Sequence, residues 1–221
     1  MTQNLDLTLR EKKAANVKLG LLMAASKRML EKSLDEISVK ELCDDVMISE
    51  GTFFNYFPKK TDLLIYYVQL WSVEVSWKVT HEYNFPTQFE YIREIFRLTA
   101  EKFQQGLKIM KEIIALFAVA EPNYETIKLS KAELVQAFPN FKGIDEIEPL
   151  PFYQTFDPFL KEAIQKGELP SNTDYHLVAL GLWSIFFGVP LLMPIEKVEM
   201  VSYLYTIQLE IFWNGLKIEN K

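Results

Sequence analysis

Apolar residues recur along this chain at intervals of three and four positions, a spacing that places side chains on one face of an α-helix. No stretch alternates strictly between apolar and polar residues, as a half-buried strand would. The sequence therefore predicts an all-α fold of about ten helices. Cap and turn residues place these helices at about residues 10–32, 38–46, 49–57, 60–84, 87–106, 107–120, 123–137, 152–165, 173–188 and 196–216.

The second and third predicted helices are short and lie close together. Ser38 is a good N-cap for the second helix, and Glu41 three residues later completes a capping box. Ser49 caps the third helix, and Pro58 ends it because a proline disfavours helical geometry in the preceding residue. Two short helices joined by a tight turn form a helix-turn-helix, whose second helix enters the major groove of DNA.

The third helix has an apolar inner face and a small, polar outer face. The residues that we expect to point inward from this motif are Val39, Leu42, Val46, Ile48, Phe53 and Phe57. Gly51, Thr52, Asn55 and Tyr56 remain for the outer face, where a duplex could approach closely. A helical hairpin used only for packing is the alternative, but it gives no reason for exposing Thr52, Tyr56 and Lys60 together.

These residues resemble the DNA-binding domain of the TetR family of bacterial transcription regulators. The matching positions are Ser38, Val39, Leu42, Ser49, Gly51, Thr52, Tyr56, Phe57, Lys60, Leu63 and Leu64, with Ala24, Ala25 and Met29 in the first helix. The resemblance implies a three-helix DNA-binding domain at residues 1–60 and a larger helical domain for ligand binding and dimerisation at 61–221. The DNA-contacting residues that it implies are Ser38, Ser49, Glu50, Gly51, Thr52, Asn55, Tyr56, Lys59 and Lys60.

Three positions depart from the family pattern. Met47 replaces the usual glycine of the turn, so a left-handed backbone there would carry modest strain. Phe54 replaces a tyrosine whose hydroxyl often reaches a phosphate. Glu50 places a carboxylate at the start of the reading helix, where it suits the helix dipole but repels phosphate. Either Glu50 serves only the helix, or it accepts a hydrogen bond from a cytosine amino group.

The charge and the cysteine content limit which partners and which cellular compartment are compatible with the sequence. The net charge is −6, but residues 1–65 hold ten basic and ten acidic residues, so the acidity belongs to the remainder of the chain. This balance predicts modest non-specific DNA affinity with strong salt dependence. The single cysteine, Cys43, excludes an internal disulfide and fits a reducing cytoplasm. Its inward position favours a core residue over a redox switch.

The ninth and tenth predicted helices are apolar around most of their circumference. A helix of this kind is buried, either in the core of its own chain or in an oligomer. In the TetR family the last two helices of each subunit form a four-helix bundle across a two-fold axis, so the resemblance implies a homodimer. The interface residues that we expect are Leu177, Gly181, Trp183, Phe187, Leu209 and Trp213.

The middle helices carry many aromatic residues. At helical spacing such residues are core by default, but the resemblance implies that the same region encloses a cavity for a small-molecule inducer. An apolar or aromatic inducer would suit this lining. Both interpretations stay open, and the candidate lining residues are Trp77, Phe103, Met110, Phe117, Tyr124, Phe156 and His176.

Other classes of protein lack support in the sequence. No catalytic, nucleotide or metal-binding motif is present, so we expect neither an enzyme nor a cofactor nor a metal. The uncharged stretch 175–195 does not favour a membrane span, because Gly188, Pro190 and Pro194 interrupt it. No secretory signal is visible, and we expect a cytoplasmic protein. A helical protein-interaction module is the remaining alternative to a DNA-binding regulator.

Overall fold

The computed structural model describes residues 7–119 and 127–217, and within these ranges the regular structure is helical. The α-helices in chain order are α1 (Leu9–Met29), α2 (Val39–Val46), α3 (Glu50–Tyr56), α4 (Asp62–His81), α5 (Gln88–Val119), α6 (Lys131–Ala137), α7 (Asp157–Gln165), α8 (Tyr175–Leu192) and α9 (Met200–Leu216). Helix α5 bends at Gly106, whose backbone is not helical, so it contains two of the predicted segments. The predicted all-α fold is confirmed.

Three helix starts differ from the prediction by four residues or more. Helix α7 begins at Asp157 rather than at residue 152, because Phe152–Gln154 form a separate 3-10 turn. Helix α6 begins after Ser130, because the Ser130 side chain and Glu133 form a capping box there. The predicted start at Asn123 lies outside the described residues, and 127–130 are not helical. Helix α9 begins at Met200 rather than Glu196, because Ile195–Lys197 form a separate 3-10 turn.

Packing divides the chain into two compact units. The first, called the head unit below, consists of Met1–Glu74 together with Ala120–Pro149. The second, the body unit, consists of Val75–Val119 and Leu150–Lys221. Helix α4 is continuous through the boundary between Glu74 and Val75. Helix α6 lies in the segment Ala120–Pro149, which belongs to the head unit although the residues before and after this segment belong to the body unit. The functional division at residue 60 stays a prediction.

In the head unit, α1 packs against α2 and α6, and α2 packs against α3. The fully buried side chains of this core include Leu21, Met29, Leu34, Ile37, Leu42, Phe53, Phe57 and Tyr66. Cys43 is also buried, which confirms its interpretation as a core residue. Burial raises the pKa of its thiol and so keeps it protonated.

In the body unit, α5 contacts α7, α8 and α9, and α8 contacts both α7 and α9. The N-terminus of α5 is capped from a distance. The Glu168 carboxylate accepts hydrogen bonds from the backbone N–H of Gln88 at 2.8 and 2.9 Å and from that of Phe89 at 3.3 Å. A carboxylate there satisfies orphan N–H groups and favours the helix dipole.

Helix α8 is long and apolar enough to cross a membrane, judged by length and composition only. Contacts with three other helices of the body unit account for part of this apolar character. Pro190 lies inside the helix without ending it, and α8 extends to Leu192 rather than stopping at about Gly188 as predicted.

Candidate nucleic-acid interface

Helices α2 and α3 form the predicted helix-turn-helix with the predicted caps. The Ser38 hydroxyl accepts the backbone N–H of Glu41 at 3.1 Å, and the Glu41 carboxylate accepts the Ser38 N–H at 2.7 Å. Ser49 caps α3 by accepting the N–H of Thr52 at 3.1 Å. Its hydroxyl also shares a hydrogen bond with the Thr52 hydroxyl at 2.9 Å. Local sequence therefore fixes where both helices begin.

The turn between these helices depends on a left-handed residue. Met47 has φ 57° and ψ 49°, and its N–H donates to the carbonyl of Asp44. Its side chain is 92% exposed, so packing does not offset the conformational cost of the left-handed geometry. The predicted backbone strain at this position is therefore present.

We expect Met47→Gly to raise the free energy of unfolding by roughly 1 kcal/mol, because glycine adopts this geometry without a Cβ clash. Urea denaturation measures the change. Asp44→Gly is the matched control, since it adds the flexibility of glycine at an exposed helical position, and it should destabilise by roughly 0.5–1 kcal/mol. Equal destabilisation by both variants would show that the turn carries no strain.

The outer surface of α3 is called the reading face below and consists of Glu50, Gly51, Thr52, Asn55 and Tyr56. Glu50, Gly51 and Asn55 are exposed, while Thr52 and Tyr56 are half-buried. A Cβ added at Gly51 would meet only the Ser49 hydroxyl oxygen, at 3.8 Å, within the described structure. The fold therefore does not require glycine at this position, and the bare backbone suits close approach of another molecule.

Aromatic rings hold α3 from its inner side. Phe53 and Phe57 are fully buried and their ring centroids lie 5.9 Å apart. The Phe57 ring also contacts the ring of Tyr66 on α4, edge to face, at 5.4 Å. This packing fixes the direction in which the reading face points.

Charged groups join α1 to α2. The Arg28 guanidinium donates to both carboxylate oxygens of Asp45 at 2.8 and 2.9 Å, and to Glu41 at 3.2 Å. The Lys32 ammonium donates to Glu41 at 2.7 Å. The hydrogen bonds from Lys32 and Ser38 lower the pKa of Glu41 to about 2, so its carboxylate stays ionised well into the acid range. The network holds the first helix of the motif against α1.

The two lysines after the reading helix differ in their surroundings. Lys59 is exposed, as expected for a phosphate contact. The Lys60 ammonium instead donates to the backbone carbonyls of Ile37 at 2.8 Å and Asp35 at 3.2 Å. Two of its three donors therefore serve the loop before α2, which gives Lys60 a structural role that the sequence did not indicate.

We expect Lys60→Met to lower the free energy of unfolding by roughly 1–3 kcal/mol, because it leaves a partly buried carbonyl unpaired. Lys59→Met is the matched control and should leave stability unchanged. If Lys59 contacts a phosphate, this variant lowers the salt slope of DNA binding by about one unit. Thermal unfolding and DNA titrations at several salt concentrations measure both effects. Equal stability of the two variants would contradict the assigned role of Lys60.

The candidate inducer-binding residues are mostly packed against other aromatic rings. Phe156 is fully buried 5.5 Å from Phe96, Phe117 stacks on Phe152 at 5.1 Å, and Trp77 stacks on His81 at 4.6 Å. Phe103 and Met110 are buried as well. Tyr124 lies outside the described residues. His176 is exposed in the first turn of α8, so it does not fit its predicted place in a cavity lining.

Several candidate dimer residues face their own chain. Leu209 and Trp213 are 1% and 2% exposed, and Trp213 stacks on Phe89 at 5.0 Å. A Cβ at Gly181 would clash with the ring of Phe212, so this glycine serves the packing of α8 on α9. Leu209 and Trp213 are therefore core contacts within the single chain rather than the predicted dimer contacts, whereas the dimer role of the half-buried Gly181 stays a prediction.

Trp183 and Phe187 are half-buried in the aromatic core of the body unit. The Trp183 indole N–H donates to the carbonyl of Tyr153 at 3.1 Å, and its ring stacks on Phe187 at 5.5 Å. Leu177 is 65% exposed in the single chain, and a residue that contacts a second subunit must be exposed when that subunit is absent. The same two helices expose further apolar residues that the predicted interface does not include, among them Leu180, Leu191, Met200, Tyr203 and Ile211.

Known structures share this fold. The structure superposes on the fatty acid degradation regulator FadR from Bacillus halodurans with a TM-score of 0.59 and 15% identity, over 89% of this chain and 98% of that one. For a TetR transcriptional regulator from Rhodococcus sp. RHA1 the TM-score is 0.57 with 15% identity, over 96% and 100% of the chains. For GusR of Salmonella enterica it is 0.56 with 17% identity, over 98% and 100%.

The chain therefore has the fold of TetR-family transcriptional regulators, as the resemblance predicted. The identities are low, so the likeness concerns the fold. No protein-family model matches the sequence, and no curated protein matches it either. Among the described residues, no group of three or more His, Cys, Asp or Glu side chains could hold a metal ion.

Proposed function

We propose that this protein is a ligand-responsive transcriptional repressor that binds a near-palindromic operator as a homodimer. The observation that carries the proposal is the reading face of α3. It combines an exposed glycine backbone with hydroxyl and amide groups, and buried aromatic rings fix it from behind. Groups of this kind donate to phosphates and base edges in the major groove.

The proposed contacts divide by their chemistry. Lys59, the Tyr56 hydroxyl and the bare backbone at Gly51 suit the phosphates, which position the helix, whereas the Ser38 hydroxyl already donates to the Glu41 carboxylate at 2.9 Å. Thr52 and Asn55 suit base edges, because a hydroxyl contacts either a base or a methyl group and an amide pairs with adenine. Glu50 is exposed at the first position of α3, which fits both a dipole partner and a reader of cytosine.

A gel shift with the DNA that flanks the protein's own gene tests the proposal. We expect a specific shift that weakens steeply as salt rises, since phosphate contacts release counterions. Unrelated DNA of equal length is the control. No shift with any promoter-proximal fragment would favour a helical protein-interaction module instead.

The proposed dimer rests on the exposed side of α8 and α9. On α8, the exposed or half-buried positions Leu177, Leu180, Ser184, Gly188 and Leu191 follow one another at helical spacing, and on α9 the positions Met200, Tyr203, Ile207 and Ile211 do the same. A monomer rarely leaves so contiguous an apolar surface in water. A second copy of the chain covers both stripes at once by two-fold symmetry, which also presents two reading faces to successive major grooves.

For the inducer we propose a small apolar or aromatic molecule bound in the body unit. Supporting this proposal are the apolar side chains of Phe103, Met110, Phe117 and Phe156. An aromatic ligand could take the place of one of the rings that these side chains now contact, and the apolar surface would stay buried. Helix α4 is continuous from Asp62 to His81, so a shift of its second half also moves its first half. Operator DNA and inducer then weaken each other's binding by the same factor.

Within this proposal, residues 1–60 bind DNA and 61–221 bind the ligand and form the dimer. A regulator of this kind works where the chromosome is, in the bacterial cytoplasm. The free thiol of Cys43 agrees with a reducing compartment.

A further inference from the structure

Helix α6 lies in the head unit through contacts with α1. Ser130 and Glu133 form its capping box, and the Gln136 amide donates to the backbone carbonyl of Lys12 at 3.2 Å. The Glu133 carboxylate forms an ion pair with the Lys18 ammonium on α1. A segment far along the chain thus becomes part of the unit that carries the reading face.

The Lys18 ammonium connects four helices of the head unit. Besides its ion pair with α6, it lies 4.6 Å from the ring centroid of Tyr66 on α4 and 5.7 Å from that of Phe57. Phe57 is the C-cap residue of α3, and its N–H donates to the carbonyl of Phe53. The position of Lys18 is therefore coupled to the end of the reading helix.

The ion pair is nearly dry. The side chains of Lys18 and Glu133 are 12% and 5% exposed. Burial opposes the charge on Glu133, but Lys18 and Ser130 outweigh it and lower its pKa, so the carboxylate stays ionised. The Tyr66 hydroxyl is buried nearby, and burial together with the neighbouring Glu133 carboxylate raises its pKa, so it stays protonated.

A buried ion pair adds little net stability, because both charges lose their water, but losing one partner leaves an unpaired charge in the core. For Lys18 that unpaired charge would lie against Phe57 and Tyr66, directly behind α3. An ammonium in this position needs either Glu133 or water. If α6 leaves α1, water must enter beside the rings that hold the reading helix.

We propose that Glu133 and Lys18 are positioning residues for the reading helix, so that the DNA-binding module includes α6 as well as the first three helices. This inference rests on the proposed function only for its effect on DNA. It also places control of DNA binding in the chain around α6, since any event that moves this helix away from α1 removes the partner of Lys18.

Hydrogen exchange without DNA tests the inference directly on the full chain. In Glu133→Gln, in Lys18→Met and in Ser130→Ala, we expect backbone exchange in residues 50–57 to rise about tenfold, while residues 42–46 of α2 keep wild-type exchange. Ser130→Ala weakens the α6 cap with both charges still paired, so it remains informative if a charge variant fails to fold. Glu162→Gln, in an exposed ion pair with Lys166, is the matched control and should change neither segment.

The double variant Lys18→Met/Glu133→Leu removes both charges and keeps an apolar contact between α1 and α6. We expect exchange in residues 50–57 to return to within about threefold of wild type. Unchanged exchange in this segment in every variant, or an equal rise throughout α1, α2 and α3, would overturn the inference. A wild-type protein that binds no DNA would overturn the proposed function and leave the exchange result readable.

Discussion

Gly51→Ala is expected to weaken operator binding about tenfold or more, a loss of at least about 1.4 kcal/mol, without destabilising the protein. The added methyl group meets only the Ser49 hydroxyl oxygen at 3.8 Å inside the described chain, so it points to whatever approaches the reading face. Alanine is also a better helix former than glycine, and we expect the free energy of unfolding to rise by roughly 0.5–1 kcal/mol. Fluorescence anisotropy on an operator fragment and urea denaturation measure the two effects.

The matched control is Gly215→Ala in α9, where a Cβ would meet nothing within 4 Å in the described structure. We expect it to change stability in the same direction and to leave DNA affinity unchanged. At Gly51 the expected loss of DNA affinity accompanies an expected gain in stability. This combination distinguishes a residue that contacts DNA from one that is needed for folding. Wild-type affinity in Gly51→Ala would mean that α3 does not enter the groove through this face.

Leu180→Glu is expected to convert the proposed dimer into monomers. Leu180 is 63% exposed in the single chain and lies in the exposed stripe of α8, so the variant should fold. A stable interface of this type buries well over about 1,000 Å², and two-fold symmetry would place the new charge in it twice. An unpaired buried charge costs several kcal/mol, so we expect operator affinity to fall about a hundredfold or more as one half-site contact is lost.

Sedimentation equilibrium measures this change directly. Leu150→Glu is the matched control, because Leu150 is 46% exposed in the body unit outside α8 and α9. Gly181→Arg would be a poorer test, since its side chain would strike Phe212 within the same chain. A wild-type protein that sediments as a monomer, or a Leu180→Glu variant that stays dimeric, would rule out this surface as the interface.

The reading helix could be predicted closely from the sequence, because its signals are local. Ser38 with Glu41, Ser49 and Pro58 each act within a few residues, and the structure places both short helices where these residues indicate. The strained turn at Met47 was predictable for the same reason. Backbone capping and proline geometry do not depend on distant parts of the chain.

The exposed apolar stripe of α8 and α9 was harder to predict, because both sides of these helices are apolar. A pattern that is apolar all round says that a helix is covered, but it does not say which side its own chain covers. Leu209 and Trp213 pack inside the body unit, whereas Leu180 and Ile211 are exposed. On each of these helices the exposed apolar residues recur at helical spacing and form a second stripe beside the buried one. The sequence contains this second stripe, but the larger aromatic residues of the buried side drew the prediction to themselves.

The roles of Lys60 and Glu133 depend on contacts between residues distant in sequence. Lys60 reaches carbonyls more than twenty positions earlier in the chain, and Glu133 reaches Lys18 on the first helix. Ser130 and Glu133 do carry a local signal, a capping box that predicts the start of α6. Its packing partner, however, depends on tertiary structure that helical periodicity does not specify.

Because α8 and α9 contact each other closely, residues on their outer surface can be substituted during evolution without changes in the interior of the chain. Gly181 admits the Phe212 ring, and the Tyr205 hydroxyl donates to the carbonyl of Phe186 at 2.6 Å, so the two helices are held together from within. Substitutions on the outer stripe then need no repacking beneath them. If the outer stripe is the proposed dimer interface, such stripes can diverge among regulators of one fold until subunits of different regulators no longer pair, which keeps their operators under separate control.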